Sequence, residues 1–273
     1  MILSTTLPVL GPSGPWPLVA VAAFLYLMAA APVPALRRFA VAAFLGGFVL
    51  HALLLLIDIA GLGQSHAGTR LGFGPVLSMT VWLVAAVYAV ESRMLPLPAV
   101  RQWLGLVGAA AIGVAAAFPG EAKQAATAMA PLHFALGVGS YALFGAAVLH
   151  GLMLDAAERR LRAGLSPSAA VEGQQRGMPL LQLERLTFNF VAAGFAALSA
   201  TLVLGLMTSG PWRFEHKTVF ALLAWLVFAA LLAGRHWRGW RGRRATRWLY
   251  TGAVLLLLAY AGSRFVLEVL LAR

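Results

Sequence analysis

The chemistry this chain can offer rests largely on its six histidines, because it has no cysteine and only nine acidic residues. His51 lies inside a long apolar run, G-F-V-L-H-A-L-L-L-L, while His133 and His216 each open a further apolar run. An imidazole buried in such a run has two uses. It can bind a haem iron axially through a ring nitrogen, or it can hydrogen-bond a neighbouring helix. Ionisable groups at membrane depth are rare and tend to be functional, so both readings stay open for these three. His66, His150 and His236 fall in loops or near the ends of apolar runs, where interfacial histidines are ordinary.

The absence of cysteine excludes thiol catalysis, disulfides, Cys-ligated metals and thioether attachment by this chain's own side chains. A haem held here would therefore be non-covalent, and the b type is the expectation. No nucleophile–base pair, paired carboxylates, phosphate loop or metalloprotease motif occurs, so no catalytic residue and no metal centre is expected, and the chain reads as a non-enzyme. Arg264 stands one turn before Glu268, a spacing that allows mutual neutralisation, although a planar guanidinium also suits an anionic group such as a propionate. Trp212 and Phe214 are placed as interfacial aromatics or as flanks of a porphyrin edge.

The elements that must position these groups are membrane helices. The chain of 273 residues is 61% hydrophobic and 11% charged, against about a quarter charged in soluble domains. Eight apolar segments, about 16–33, 39–60, 74–92, 99–118, 130–154, 184–208, 217–234 and 247–270, are separated by Pro/Gly or charged clusters. Backbone polar groups must be satisfied internally in lipid, so these read as helices. The expectation is an all-α, polytopic transmembrane bundle of about eight spans, forming one integral membrane domain over 1–273. No positive residue precedes the first apolar segment, so it reads as a retained span and not as a cleaved signal. The net charge of +12 reflects loop asymmetry and is no nucleic-acid footprint.

Sorting the 21 basic residues by alternate loops puts fifteen on one side, including Arg235, Arg238, Arg241, Arg243, Arg244 and Arg247. The positive-inside rule makes that side cytoplasmic, with both termini outside. The segment 155–183 becomes a cytoplasmic loop in which A-E-R-R-L-R would extend the preceding helix. His51 then lies about 20 Å from the cytoplasmic end of its span, at roughly 1.5 Å per residue. Asp58 follows on nearly the same helix face. His133 and His216 start their spans on the outer side, so the three histidines are expected to converge. Ala135, Gly139, Ala142 and Ala146 form a small-residue strip on the fifth span, suited to close helix approach.

Three blocks in this order, G-F-V-L-H-A-L-L-L-L, P-L-H-F-A-L-G-V-G-S-Y-A-L-F, and L-L-Q-L-E-R-L-T-F-N-F through F-E-H-K-T, G-W-R-G-R-R and Y-A-G-S-R-F, resemble the CcsA/CcmC-like cytochrome c assembly family. The likeness is to its small YpjD-like inner-membrane branch and covers about 39–270. It implies that His51 matches the family's intramembrane histidine and His133 its first outer histidine. Glu215 and Lys217 fall where the family has the Asp and Lys of W-D-P-K-E-T. Trp212 is the one tryptophan of a shortened outer loop. Ala233 and Leu270–Leu271 stand where the family has two further histidines, and His216, at its proline position, is a substitute ligand. The resemblance implies a haem-handling protein contributing to cytochrome c assembly, with His51, His133, His216, Arg264 and Trp212 as cofactor-binding candidates. Its partners would be the lipid bilayer, haem and other membrane proteins of that assembly. Two other classes remain: a small transporter using His51, Asp58, Arg264 and Glu268, or a non-haem scaffold subunit of a membrane complex.

Overall fold

Among the described residues, eight α-helices form where the apolar runs lie. The computed structural model describes residues 15–60, 69–70, 72–93, 97–119, 122–123, 128–163, 180–208 and 216–262. The helices are α1 Trp16–Ala30, α2 Ala40–Ala60, α3 Phe73–Glu91, α4 Pro98–Ala117, α5 Ala130–Arg162, α6 Leu180–Thr208, α7 His216–Arg238 and α8 Gly242–Leu257. A 3-10 turn, Pro34–Phe39, leads into α2, and a π turn, Leu258–Gly262, continues α8. A two-residue antiparallel pairing, β1 Thr69–Arg70 with β2 Ala122–Lys123, is the strand structure among the described residues. Among the described residues, six helices are long and apolar enough to cross a membrane, α2 counted together with its leading turn, and α1 is a shorter apolar helix.

Boundaries follow local chemistry. Proline sits in the first turn of α1 and of α5, where its missing N–H costs nothing. Helix α5 runs on to Arg162 as one continuous helix, so the A-E-R-R-L-R segment extends it without a break.

The helices divide into two units, Met1–Ala85 with Pro98–Ala126, and Ala86–Leu97 with Thr127–Arg273. In the first unit, Tyr26 of α1 is fully buried and glycines make room for it. A Cβ on Gly105 of α4 would lie 2.6 Å from the Tyr26 carbonyl oxygen, and one on Gly108 would lie 3.0 Å from its ring. On α2, a Cβ on Gly47 would meet the same ring at 3.1 Å. Small residues thus let α1 nest against both neighbours, as dispersion-driven membrane packing requires. Helix α3 joins through Trp82, whose ring stacks on Phe48 at 4.9 Å and whose Nε1 donates to the Phe48 carbonyl at 3.0 Å.

The second unit has an aromatic centre. Phe144 of α5 and Phe228 of α7 stack with ring centroids 3.7 Å apart, surrounded by Val191, Leu231 and Leu249. Gly194 of α6 and Gly252 of α8 face these two rings and leave the space they fill. Of the small-residue strip on α5, Ala142 and Ala146 are buried, whereas Ala135 is exposed. The close approach of α6 comes instead from Gly194 meeting Phe144. Polar ties secure the rest. Trp225 donates to Ser199 at 2.9 Å, and Tyr141 donates to the Leu256 carbonyl at 2.6 Å, just before the π turn.

Several of the described arginines of this unit gather at one end, with their acidic partners. Asp155 of α5 accepts from Thr246 at 3.0 Å and from Tyr250 at 2.9 Å, both on α8. Glu184 of α6 pairs with Arg235 at 2.7 Å and with Arg241 at 3.5 Å. Glu158 pairs with Arg162 at 2.6 Å and lies 3.0 Å from where a Gly242 Cβ would be. That carboxylate stands at the N-terminus of α8, where negative charge complements the helix dipole.

Candidate functional site

His51 is the best-anchored of the polar groups singled out from the sequence. It is 0% exposed on α2. Its Nε2 lies 2.7 Å from the Ser78 hydroxyl of α3, and its Nδ1 lies 3.3 Å from the Tyr26 hydroxyl of α1. The Tyr26 and His51 rings meet edge to face, 5.9 Å apart at 90°. Both hydroxyls can donate or accept, so either imidazole tautomer is satisfied. A buried polar group left unpaired in lipid would be costly, and this arrangement leaves none. Neither ring nitrogen is free as the chain is folded.

His133 differs. It occupies the first turn of α5 and its ring is half-buried against α6. Gly205 makes that possible, since a Cβ there would stand 3.1 Å from the imidazole Cε1. Its Nδ1 is buried without an aligned hydrogen-bond partner, and the polar contact of the ring is with the Thr201 backbone of α6. His216 is exposed as the first residue of α7, and the charge of the adjacent Lys217 reaches His133. His133 and His216 therefore share one end of the second unit, opposite the arginines, while His51 belongs to the first unit. Trp212, Arg264, Glu215, Glu268 and His66 lie outside the described residues. Asp58 is half-buried near the end of α2, and His236 is exposed.

Sequence reasoning missed one histidine. His150, expected to be interfacial, is 0% exposed. Its Nδ1 donates to the Ala146 carbonyl at 2.8 Å, and Nε2 lies 3.2 Å from a carboxylate oxygen of Glu91, at the end of α3. That separation is an ion-pair distance without hydrogen-bond alignment. Phe190 of α6 covers the ring at 5.2 Å. The charge on Glu91, ending one apolar helix, and the histidine near the end of another were the available signals. Their pairing is tertiary.

An imidazole that ligates iron needs one free nitrogen, and its other nitrogen is usually held by an oxygen. The buried Nδ1 of His133, without an aligned partner, fits a group still lacking one. For His51, the Tyr26 hydroxyl stands in the holding position, and the Ser78 hydroxyl occupies the nitrogen that would ligate. Among the described residues no group of three or more His, Cys, Asp or Glu is arranged to hold a bare metal ion.

Apolar helices with two fully buried imidazoles, His51 and His150, packed between them define a multi-pass helical membrane protein. The chain belongs to the cytochrome c assembly family: residues 45–271 match the family described as "Cytochrome C assembly protein". It is similar to inner membrane protein YpjD of Escherichia coli, 31% identical over 241 residues, 86% of this chain and 88% of that protein. It is also similar to a 28.8 kDa protein of Azospirillum brasilense, 29% identical over 82% of this chain and 83% of the other. Cytochrome c biogenesis protein CcsA of Synechococcus is 34% identical over 86 residues, 30% of this chain and 28% of that protein. No solved structure matches the chain. It is a multi-pass inner-membrane protein.

Proposed function

We propose that this chain handles haem within the membrane and contributes in that way to cytochrome c assembly. The observation that carries the reading is His133, whose buried Nδ1 has no aligned partner in a half-buried ring that Gly205 accommodates. A buried nitrogen without an aligned partner calls for an explanation, and an absent ligand is one. His51 supports the reading from the other unit, because turning one serine hydroxyl would free its Nε2 while Tyr26 keeps the ring oriented. His216 and Lys217 line the same end of the second unit as His133, and Trp212 and Arg264 are the remaining candidates for the porphyrin edge and a propionate. Haem, when bound, supplies the iron that an acceptor cytochrome needs. This chain's own residues bind and orient it and, lacking cysteine, form no thioether bond.

The test is the visible spectrum of the detergent-purified protein, oxidised and reduced, beside His51→Ala and His133→Ala. A Soret band that either substitution weakens is expected. No band after haem is added would overturn the reading and leave transport or scaffolding as the alternatives, to be separated by uptake into vesicles.

A further inference from the structure

The α7–α8 turn carries six arginines and no lysine between residues 235 and 247. The acids described at that end of the second unit are already committed. Asp155 accepts from Thr246 and Tyr250, Glu158 holds Arg162, and Glu184 holds Arg235 and Arg241. Arg244 lies over the Trp240 ring, its guanidinium carbon 4.3 Å from the centroid. Arg238, Arg243 and Arg247 remain exposed, with no acidic partner among the described residues. Beside Arg238, Trp237 is 81% exposed.

The turn that presents these groups is stiff. Gly239 and Gly242 adopt φ of 62° and 55°, a region that side-chain-bearing residues rarely adopt. The Gly239 N–H donates to the Arg235 carbonyl at 3.1 Å and the Trp240 N–H to the Gly234 carbonyl at 3.2 Å, closing the end of α7. Trp240 folds back onto Gly234, where a Cβ would come within 2.4 Å of its ring, and packs against Trp248 at 5.3 Å. The three spare guanidinium groups are thus anchored on a preorganised backbone.

Guanidinium forks match phosphate oxygens, and arginine is favoured over lysine where that geometry matters. An exposed indole at the end of an apolar helix suits the boundary between headgroup and acyl chain, which neither free phosphate nor an acidic protein provides. We infer that the α7–α8 turn is a binding site for the headgroup of an anionic glycerophospholipid, its phosphate taken by Arg238, Arg243 and Arg247 and its upper acyl chain covered by Trp237.

The test uses the full chain in a neutral detergent, titrated with phosphatidylglycerol, with phosphatidylcholine and with inorganic phosphate. Retained lipid is counted by native mass spectrometry and protection by the shift in Tm. Phosphatidylglycerol alone is expected to be retained and to raise Tm. The triple variant Arg238→Gln/Arg243→Gln/Arg247→Gln should lose about a hundredfold in apparent affinity, at about 1 kcal/mol per arginine near an anionic surface. The triple Arg→Lys variant, which keeps the charge, should lose less, and Trp237→Ala should weaken lipid retention. Arg159→Gln/Arg160→Gln/Arg185→Gln removes three other exposed arginines and should leave retention unchanged. Equal loss in that control, equal protection by inorganic phosphate, or a retained polypeptide in place of lipid would each overturn the assignment.

Discussion

His51 and His150 are equally inaccessible, yet the two units hold them in opposite ways. His51 sits between two hydroxyls, Ser78 and Tyr26, each able to donate or accept. His150 has its Nδ1 proton committed to the carbonyl one turn back, and its Nε2 faces the Glu91 carboxylate. Freeing a nitrogen of His51 means rotating one serine and giving up one hydrogen bond, about 1 kcal/mol. Freeing Nε2 of His150 would strand a carboxylate that is only 23% exposed, a much larger penalty. Burial alone therefore does not mark a ligand. What distinguishes the two is the cost of releasing a nitrogen, and by that measure His51 is suited to exchange partners while His150 is suited to hold helices together.

That contrast can be broken by substitution. His51→Ala should produce the largest effect, about 2–4 kcal/mol, because it opens a cavity and strands the hydroxyls of Tyr26 and Ser78. The measurement is Tm of the detergent-solubilised protein, and an unchanged Tm would mean that those hydroxyls find each other without the ring. Glu91→Leu should cost about 1–3 kcal/mol by leaving His150 Nε2 facing apolar surface. If the pair acts as a unit, Glu91→Leu with His150→Leu should cost less than the sum of the single changes. Additive losses in that double-mutant cycle would dissolve the distinction. Tyr26→Phe should cost least, about 0.5–1.5 kcal/mol, since the 3.3 Å bond is long and the ring packing survives. A loss as large as that of His51→Ala would make the tyrosine, not the serine, the principal anchor.

Most of the helical framework was legible in the sequence, because lipid forces apolar runs to be helices and Pro/Gly clusters end them. The run expected at 74–92 appears as Phe73–Glu91, and that at 99–118 as Pro98–Ala117. The burial of His51 was legible too, from its place in the middle of such a run. His150 was not. Its apolar run ends at residue 154, which by pattern alone puts the histidine at an interface, but the charged residues that follow continue the helix to Arg162. Its carboxylate partner comes from another helix, and no local pattern records that. The α7–α8 turn was equally hidden, since composition shows arginines and glycines but not that Trp240 occupies the space above Gly234.

The nesting of Tyr26 also has a consequence for how the first unit is made. A chain enters the membrane N-terminal end first, so α1 and α2 meet before α3 and α4 exist. During that interval, among the described residues of α1 and α2, Tyr26 is the hydroxyl that contacts His51. The arrival of α3 brings Ser78, and the arrival of α4 brings the glycine notches that close over the tyrosine. Biogenesis of this half is thus a stepwise solvation of one imidazole by successive helices, and a chain halted before α3 would leave that step half complete.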